Sequence, residues 1–399
     1  MKTLQQRLPR TVIILGLVSF FNDFASDIVV PLIPILIATV LSSGPIALGL
    51  IEGVADAVAS FLKLWSGRHS DRMNSRRKGL TLLGYLISNL ARPLLGLAGS
   101  WYVVLVLRSL DRVGKGLRSA PRDALVVDAT PPAMRGHAFG FHRALDNGGA
   151  VAGSLAAAGV LAYSALALPQ VILLSAVPGL LAVLLLLLGI RGRAAPAVPP
   201  RVELAPLSWR GLSIPMRRYL IVLGLFTLAR ASETFILLFG FQLHIGVVEL
   251  LLLWAALNLA KSATSTWGGK LADKFGRGML MLVSWTAFAL SFLLLGKVTG
   301  NLGLWAVTIG YGLFAGMSEG AERALVGDFS GTSEHGSAFG WYHLIIGLTA
   351  IPGGAMFGGI WHFQSAAMAF FFASGIAALC ALLLRCWVWP HLNVKKSMS

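Results

Sequence analysis

Two aspartates four residues apart interrupt the first long apolar segment of the chain. Asp23 and Asp27 lie in the stretch SFFNDFASDIVVPLIP, inside an apolar segment that spans residues 11–40. An ionised carboxylate at the centre of a membrane helix costs roughly 2.5–3.5 kcal/mol. We therefore expect each aspartate to be compensated by a paired base, by a bound solute or by a proton.

Further charged residues stand in the fourth and seventh apolar segments. They are Arg108, Asp111 and Arg112 in the fourth segment, and Arg230 and Glu233 in the seventh. At about 1.5 Å per helical residue, Asp23 should lie at the depth of Arg112. On the same basis, Asp27 should lie near Arg108. Two interpretations stay open: these charges pair permanently, or they exchange their partners with a proton or a substrate.

Acids and bases in such a cluster have different chemistry. A carboxylate carries a proton, whereas a guanidinium binds carboxylates and phosphates through parallel hydrogen bonds. The candidate proton carriers are Asp23, Asp27 and Glu233. The candidates for binding an anionic or zwitterionic group are Arg108, Arg112 and Arg230. Asp111 lies between the two arginines of the fourth segment, and we include it among the candidate residues for the substrate or a proton.

Weaker candidates lie in other apolar segments. Glu52 and Asp56 are four residues apart in the second segment. They either face the edge of a cavity or pair with Arg92 of the third segment. The remaining candidates are Arg143 and Asp146, with a gating or a substrate role, and His343, which titrates near neutral pH.

Charged residues are scarce throughout the chain. The chain has 399 residues, of which 56% are hydrophobic and 13% are charged, whereas roughly a quarter of residues are charged in soluble domains. Apolar runs recur along the chain, each long enough to cross a hydrocarbon core of about 30 Å. This pattern predicts an all-α polytopic membrane protein. The net charge of +16 then reflects basic cytoplasmic loops, and no nucleic-acid partner is expected.

Glycines, prolines and charge clusters divide the chain into twelve predicted transmembrane helices. Their bounds are 11–40, 46–66, 79–98, 101–119, 137–163, 168–190, 217–243, 247–266, 279–297, 302–326, 336–361 and 365–389. Basic connections alternate with connections almost free of charge, so the positive-inside rule places both termini in the cytoplasm. The chain is accordingly predicted to be a multi-pass protein of the inner, or cytoplasmic, membrane.

The two halves of the chain resemble each other. The stretch DALVVDATPPAMRGHAFG from Asp123 aligns without a gap to RALVGDFSGTSEHGSAFG from Arg323. Such a repeat in a membrane protein indicates a duplicated helical bundle. The predicted domains are residues 1–190 and 217–399, each with six spans, joined by a cytoplasmic linker over 191–216.

Two similar basic loops carry a recognisable family pattern. The residues that match it are Gly269, Asp273, Lys274, Gly276 and Arg277 in GGKLADKFGRG, with Gly67, Asp71 and Arg72 in the first-half copy. With the twelve spans and the repeat, these loops make the chain resemble a major facilitator superfamily (MFS) transporter. The resemblance implies that the first, fourth, seventh and tenth helices line a central cavity between two pseudo-symmetric six-helix bundles. It also implies that the loops hold a cytoplasmic gate closed, and that Arg112 takes part in proton coupling.

The resemblance further implies a secondary transporter that works by alternating access. The expected activity is proton-coupled efflux, or antiport, of a small organic solute that is anionic or zwitterionic. The alternative is proton-coupled uptake, or symport, of an organic anion, a metabolite or a siderophore. The basic cavity and the absence of a Gly-Pro motif from the fifth span favour this alternative. A membrane receptor that binds without transport is a third interpretation.

Other functional classes lack sequence support. The chain shows no phosphate-binding loop, metal-ligand cluster or nucleophile triad, so no enzyme activity, cofactor or metal is expected. The expected partners are the small-molecule substrate, protons and the lipid bilayer. The chain is expected to act as a monomer.

Overall fold

The computed structural model describes residues 8–70, 77–131, 134–190, 208–230, 232–329 and 335–389. These residues form helices joined by short connections, and no strand occurs among them. The predicted all-α membrane fold is therefore confirmed. The predicted linker lies largely outside the described residues, and its last residues belong to a helix that begins at Ile214.

The helices of the first half end before the predicted linker. They are α1 (Arg10–Val29), α2 (Ile33–Thr39), α3 (Pro45–Ser70), α4 (Arg77–Leu94), α5 (Trp101–Ala129), α6 (Arg135–Tyr163), α7 (Leu168–Leu173) and α8 (Ala176–Gly189). A 3-10 turn over Val30–Leu32 separates α1 from α2. It contains Pro31, whose ring removes an α-helical hydrogen bond.

The helices of the second half follow the same order of long and interrupted segments. They are α9 (Ile214–Ala229), α10 (Thr234–Gln242), α11 (Val247–Phe275), α12 (Arg277–Leu295), α13 (Asn301–Phe329), α14 (His335–Phe363) and α15 (Ala366–Leu383). Between α9 and α10 the helix is broken, and Arg230 and Glu233 flank this break. The break therefore positions two of the charged residues expected at the cavity.

Nine helical segments of the described residues are long and apolar enough to cross a membrane. The predicted fourth, fifth and tenth spans coincide with α5, α6 and α13, which have 29 residues each and are not among these nine. In α5 the reason is its charge, since Arg108, Asp111 and Arg112 stand near its middle. The count of twelve spans stays a prediction.

The two halves meet mainly along two pairs of helices, α3 with α14 and α6 with α11, and also where α2 packs against α10. At the first pair the backbones touch, because a Cβ atom on Gly354 would overlap the carbonyl oxygen of Gly49. One turn further, a Cβ atom on Gly358 would overlap the carbonyl oxygen of Pro45. Small residues allow this close approach of membrane helices, and they seal one end of the boundary between the halves.

Replacing Gly354 with alanine is expected to destabilise the protein. The added methyl group must displace the backbone of α3, and such overpacking costs about 1–3 kcal/mol. The thermal unfolding midpoint of the purified protein in detergent measures the effect. Gly359→Ala on the same helix is the control, because nothing lies within 4 Å of its Cβ position. Equal midpoints for the two variants would contradict a packing role for Gly354.

Candidate functional site

A cavity of about 1220 Å³ lies between the two halves. Charged residues from α1, α3, α5, α6 and α11 line it, among them Asp23, Lys63, Lys115, Arg118, Asp146 and Lys261. Its wall also includes Asp123 near the end of α5, Gly140 near the start of α6 and Phe339 near the start of α14. The cavity therefore extends towards the helix ends that the charge pattern assigns to the cytoplasm.

A smaller cavity of about 440 Å³ adjoins the first on the side of the second half. Both cavities are lined by Lys63, Lys261, Tyr342 and His343, so they form one continuous space. The smaller cavity adds charged residues from both halves of the chain. These are Asp56, Arg230, Glu233 and Glu322.

A buried ionic network holds α3, α4 and α5 together. The guanidinium of Arg108 contacts Glu52 Oε2 at 3.2 Å and Asp111 Oδ2 at 3.4 Å. Arg92 Nε contacts Asp111 Oδ1 at 2.9 Å. The four side chains are between 0% and 6% exposed, and none of them lines the two cavities just described. The geometry of this network indicates a scaffold beside the cavity wall.

The permanent ion pairs that equal depth left open, of Asp23 with Arg112 and of Asp27 with Arg108, are not formed among the described residues. Among the described residues, neither Asp23 nor Asp27 lies within ion-pair distance of Arg108 or Arg112. Depth fixes the position along a helix axis but not the direction around it. Arg108 points towards α3 and α4, where acids are available to it. Arg112 has a buried Nε without a hydrogen-bond partner among the described residues.

A pair of Glu52 with Arg92, one of the two alternatives left open for the acids of α3, is likewise not formed. Each of these residues has another buried partner, Arg108 for Glu52 and Asp111 for Arg92. Asp56, one helical turn after Glu52, faces the smaller cavity. The two acids of α3 are therefore separated, with one in the scaffold and one at the cavity.

Asp23 lies on the cavity wall and is oriented by its neighbour in sequence. Asn22 Nδ2 donates to Asp23 Oδ1 at 2.8 Å. The Oδ1 atom of Asn22 accepts from Arg92 Nη1 at 3.0 Å and from Asn89 Nδ2 at 3.3 Å. These two donors fix the orientation of the Asn22 amide, so its NH₂ group points at Asp23. The scaffold thus positions a cavity carboxylate through a single asparagine.

Asp27 joins the two halves instead of facing the cavity. Its Oδ1 atom accepts from Trp254 Nε1 at 2.9 Å and from Asn258 Nδ2 at 3.5 Å, and both donors belong to α11. Beyond this contact α2 packs against α10, again across the two halves. The Asp27 contact therefore belongs to the closed end of the boundary, opposite the cavity mouth.

Removing the indole donor with Trp254→Phe is expected to favour a conformation that opens at this closed end. A hydrogen bond to a charged group contributes about 1.5–3 kcal/mol, and about 1.4 kcal/mol corresponds to a tenfold change in population. Spin labels at the exposed positions Ser42 and His244 report the separation of the two halves at this end. A distance distribution shifted to longer values is the expected result.

The control for this experiment is an indole that binds a carboxylate within one half. Trp305 Nε1 donates to Glu249 Oε1 at 3.1 Å, and both residues belong to the second half. Trp305→Phe should leave the distance distribution unchanged. If Trp254→Phe also leaves it unchanged, the Asp27 contact does not hold the two halves together.

Two ion pairs open on the smaller cavity. Arg230 Nη1 contacts Glu322 Oε2 at 3.1 Å, and the Tyr342 hydroxyl donates to Glu322 Oε1 at 2.6 Å. Lys261 Nζ contacts Glu233 Oε2 at 2.6 Å. The Tyr311 hydroxyl donates to Glu233 Oε1 at 2.9 Å. Each carboxylate thus binds one base and one tyrosine, an arrangement that repeats on two sides of the cavity.

The sequence analysis missed four of these six residues. Lys261 is a base inside the predicted eighth span, which the family pattern does not place at the cavity. Glu322 was not among the candidate residues, although it is buried and paired with Arg230. A lone lysine within an apolar segment was the available signal for Lys261. Nothing in the sequence marked Tyr311 or Tyr342.

The secondary candidates of α6 and α14 lie on the larger cavity. Arg143, Asp146 and His343 all line it. His142 Nδ1 lies 3.8 Å from Asp146 Oδ2, and its Nε2 lies 2.9 Å from Ser19 Oγ. Asp146 Oδ1 is buried without a hydrogen-bond partner among the described residues. Whether these residues act in gating or in binding stays a prediction.

The two gating loops are described in part. Asp71 and Arg72 lie outside the described residues, as does the side chain of Asp273. Gly67 belongs to α3, and Gly269 to α11. The ammonium of Lys274 lies 5.2 Å from the centre of the Phe275 ring.

One turn of the second loop explains the glycine of its Gly-Arg pair. Gly276 has φ of +87° and separates α11 from α12. This backbone conformation favours glycine, because a Cβ atom would clash there. Arg277 begins α12 directly after it. The gating role of both loops stays a prediction.

Comparisons with known proteins identify relatives of this architecture. The profile of the Major Facilitator Superfamily matches residues 15–260 and 220–396. An uncharacterized MFS-type transporter of Methanocaldococcus jannaschii is 29% identical over 388 residues, which cover 95% of each chain. The multidrug resistance protein MdtH of Yersinia enterocolitica is 29% identical over 136 residues, 34% of this chain and 33% of MdtH. The crystal structure of a NupG nucleoside transporter mutant, 14% identical, superposes with a TM-score of 0.77 over 94% of this chain and 99% of NupG.

Proposed function

The chain belongs to the major facilitator superfamily of secondary transporters, and we propose that it exports a small organic solute in exchange for protons. It is a multi-pass membrane transporter and not an enzyme. We infer the direction of transport, the coupling ion and an anionic or zwitterionic solute from the charges of the cavity.

The two carboxylate–base pairs of the smaller cavity carry the proposal. Glu233 and Glu322 are 22% and 10% exposed at their side chains, so protons and solutes reach them from the cavity. A proton on either carboxylate removes the charge that binds a cationic group of the solute. Proton and solute therefore cannot occupy the same carboxylate at the same time. Exchange of a solute for protons requires such mutually exclusive binding.

The shape of the boundary between the halves supports loading from the cytoplasm. The cavity extends to helix ends that are predicted to be cytoplasmic, while the Asp27 contact and the α3–α14 packing close the opposite end. A solute that enters here is released outside once the two halves rock about the cavity. The partial similarity to a multidrug resistance protein supports the same direction.

Proteoliposomes with pH gradients of opposite sign test the coupling. Labelled organic solutes that are anionic, zwitterionic or cationic are supplied outside the vesicles. Exchange for protons predicts accumulation when the vesicle interior is acidic, whichever way the protein is inserted. Accumulation only with an acidic exterior would overturn antiport in favour of symport. Binding without flux under either gradient would overturn the transport proposal.

Symport of an organic anion is the second candidate, and two bases of α5 favour it. Lys115 lines the larger cavity and has no ion pair among the described residues. Arg118 lines it as well, and its polar contact is with Ser88 Oγ at 2.5 Å. An anion bound to these bases would favour a proton on Asp23, so solute and proton would bind together. The sign of the pH gradient separates this candidate from exchange.

A further inference from the structure

The smaller cavity has an aromatic wall. The rings of Phe226 and Trp285 stack with centroids 4.3 Å apart and planes inclined by 9°. Phe288 packs edge-on against Phe226 at 5.2 Å, and Tyr311 packs edge-on against Phe288 at 5.9 Å. All four side chains line the cavity. Their mutual packing presents a rigid apolar surface, which suits a flat ring better than a flexible aliphatic chain.

Beside this wall the charges are balanced. The Arg230–Glu322 and Lys261–Glu233 pairs contribute two positive and two negative groups. Lys63 and Asp56 also line the cavity and add one charge of each sign. A solute with a single charge would take one member of a pair and leave the other without a partner in a half-buried position, which is costly. A solute that carries both charges replaces one ion pair within the protein by two ion pairs between the protein and the solute.

An unsatisfied hydroxyl lies next to the aromatic wall. Ser284 precedes Trp285 in α12, is 5% exposed and lines the same cavity. Its Oγ atom has no hydrogen-bond partner among the described residues. Buried hydroxyls are usually hydrogen-bonded. A polar atom on the edge of a bound ring would supply the missing partner.

From these three observations we propose that the smaller cavity binds an aromatic zwitterion, with its ring on the Phe226–Trp285 wall. The carboxylate of the solute pairs with Arg230 or Lys261, and its ammonium pairs with Glu233 or Glu322. The cavity volume of about 440 Å³ falls in the range of small-molecule sites. This inference rests on the proposed function and names the class of solute for that transport.

A series of four probes separates ring from charge. Free tryptophan is an aromatic zwitterion, indole-3-acetate is the anion with the same ring, tryptamine is the cation, and leucine is an aliphatic zwitterion. Ligand-induced thermal stabilisation of the purified protein, without any gradient, ranks their affinities. We expect tryptophan to bind at least tenfold tighter than each of the other three. If any of them binds as tightly as tryptophan, the inference is overturned.

Variants then place the probe in this cavity. Glu233→Gln is expected to weaken tryptophan binding more than tenfold and to strengthen the binding of indole-3-acetate, because the substitution frees Lys261 from its ion pair. Trp285→Leu should weaken tryptophan and tryptamine alike. Trp267→Leu is the control, because Trp267 is 69% exposed and does not line the cavity. Since Trp285 is buried, Phe288→Leu serves as a second aromatic variant if Trp285→Leu does not fold, because Phe288 lines the same cavity and packs against Phe226.

The outcomes for this inference and for transport are separable. Tryptophan binding that follows the series without flux in proteoliposomes would overturn the proposed transport and support the subsite. Proton-driven flux of other solutes, with no preference for tryptophan in the series, would overturn the subsite and leave the transporter. Unchanged tryptophan affinity in Glu233→Gln and in the folded aromatic variant would also overturn it.

Discussion

Replacing Asp111 with asparagine is expected to abolish most of the folded protein. Asp111 is fully buried and accepts from Arg92 at 2.9 Å and from Arg108 at 3.4 Å. The substitution removes the buried negative charge that both guanidinium groups contact. Breaking a buried ion pair in this way costs about 3–5 kcal/mol, which is a large share of the usual stability of a folded domain. Gel filtration of the solubilised protein and its thermal midpoint measure the loss.

A matched ion pair at the protein surface provides the control. Arg77 Nη1 contacts Asp128 Oδ2 at 2.6 Å, and the Asp128 side chain is 53% exposed. Pairs with an exposed member contribute about 0–1 kcal/mol, so Asp128→Asn, the same substitution at an exposed carboxylate, should give a yield close to wild type. A well-folded Asp111→Asn variant that has lost transport would contradict the scaffold role and would return Asp111 to the transport machinery.

The helices were predictable from the sequence, and their ends less so. Apolar runs predicted the start of α5 at residue 101, whereas the helix continues to Ala129 and not to residue 119. In the same way α11 continues to Phe275, beyond the predicted end at 266. Hydropathy detects the part of a helix that lies in the membrane. The extensions of α5 and α11 contain charged residues, so the apolar pattern does not detect them although the helices are continuous in the structure.

The sequence predicted which helices carry candidate site residues, but not which side chains contact each other. The charge census placed Asp23 and Glu233 correctly on helices that line the cavity. It could not give the rotation of α5, which turns Arg108 and Asp111 away from the cavity. The partner of Asp27 was equally inaccessible, because Trp254 belongs to the other half and the internal repeat relates equivalent residues, not contacting ones.

The broken helix between α9 and α10 shows a further limit of sequence reasoning. The chain there contains no proline, so periodicity predicted one continuous helix over 217–243. In the structure Arg230 adopts a non-helical conformation with ψ of 70°. The ion pairs of Arg230 with Glu322 and of Glu233 with Lys261 lie on either side of the break. The break is therefore accompanied by ion pairs between residues that are far apart in the sequence. No local sequence pattern encodes such pairs.

Asp23→Asn is expected to have the opposite phenotype to Asp111→Asn. Asp23 lines the cavity, and its hydrogen bond in the described structure comes from Asn22, with no ion pair. The Asn22 amide donates to the amide oxygen of an asparagine as it does to a carboxylate, so folded protein should be obtained at near-normal yield. An amide cannot take up a proton, so, if Asp23 shares the coupling with the two glutamates of the smaller cavity, accumulation driven by a pH gradient should be lost.

Solute exchange separates a coupling role of Asp23 from a binding role. If Asp23 carries the proton, Asp23→Asn vesicles still exchange labelled for unlabelled solute at equal pH, while the pH gradient no longer drives accumulation. Normal gradient-driven accumulation would remove Asp23 from the coupling, and loss of folded protein would assign it to the scaffold with Asp111. The two aspartates lie on neighbouring helices and connect through Asn22 and Arg92. Loss of folded protein in Asp111→Asn and loss of proton-driven accumulation in Asp23→Asn would therefore show that the scaffold ends, and the cavity begins, at the Asn22 amide.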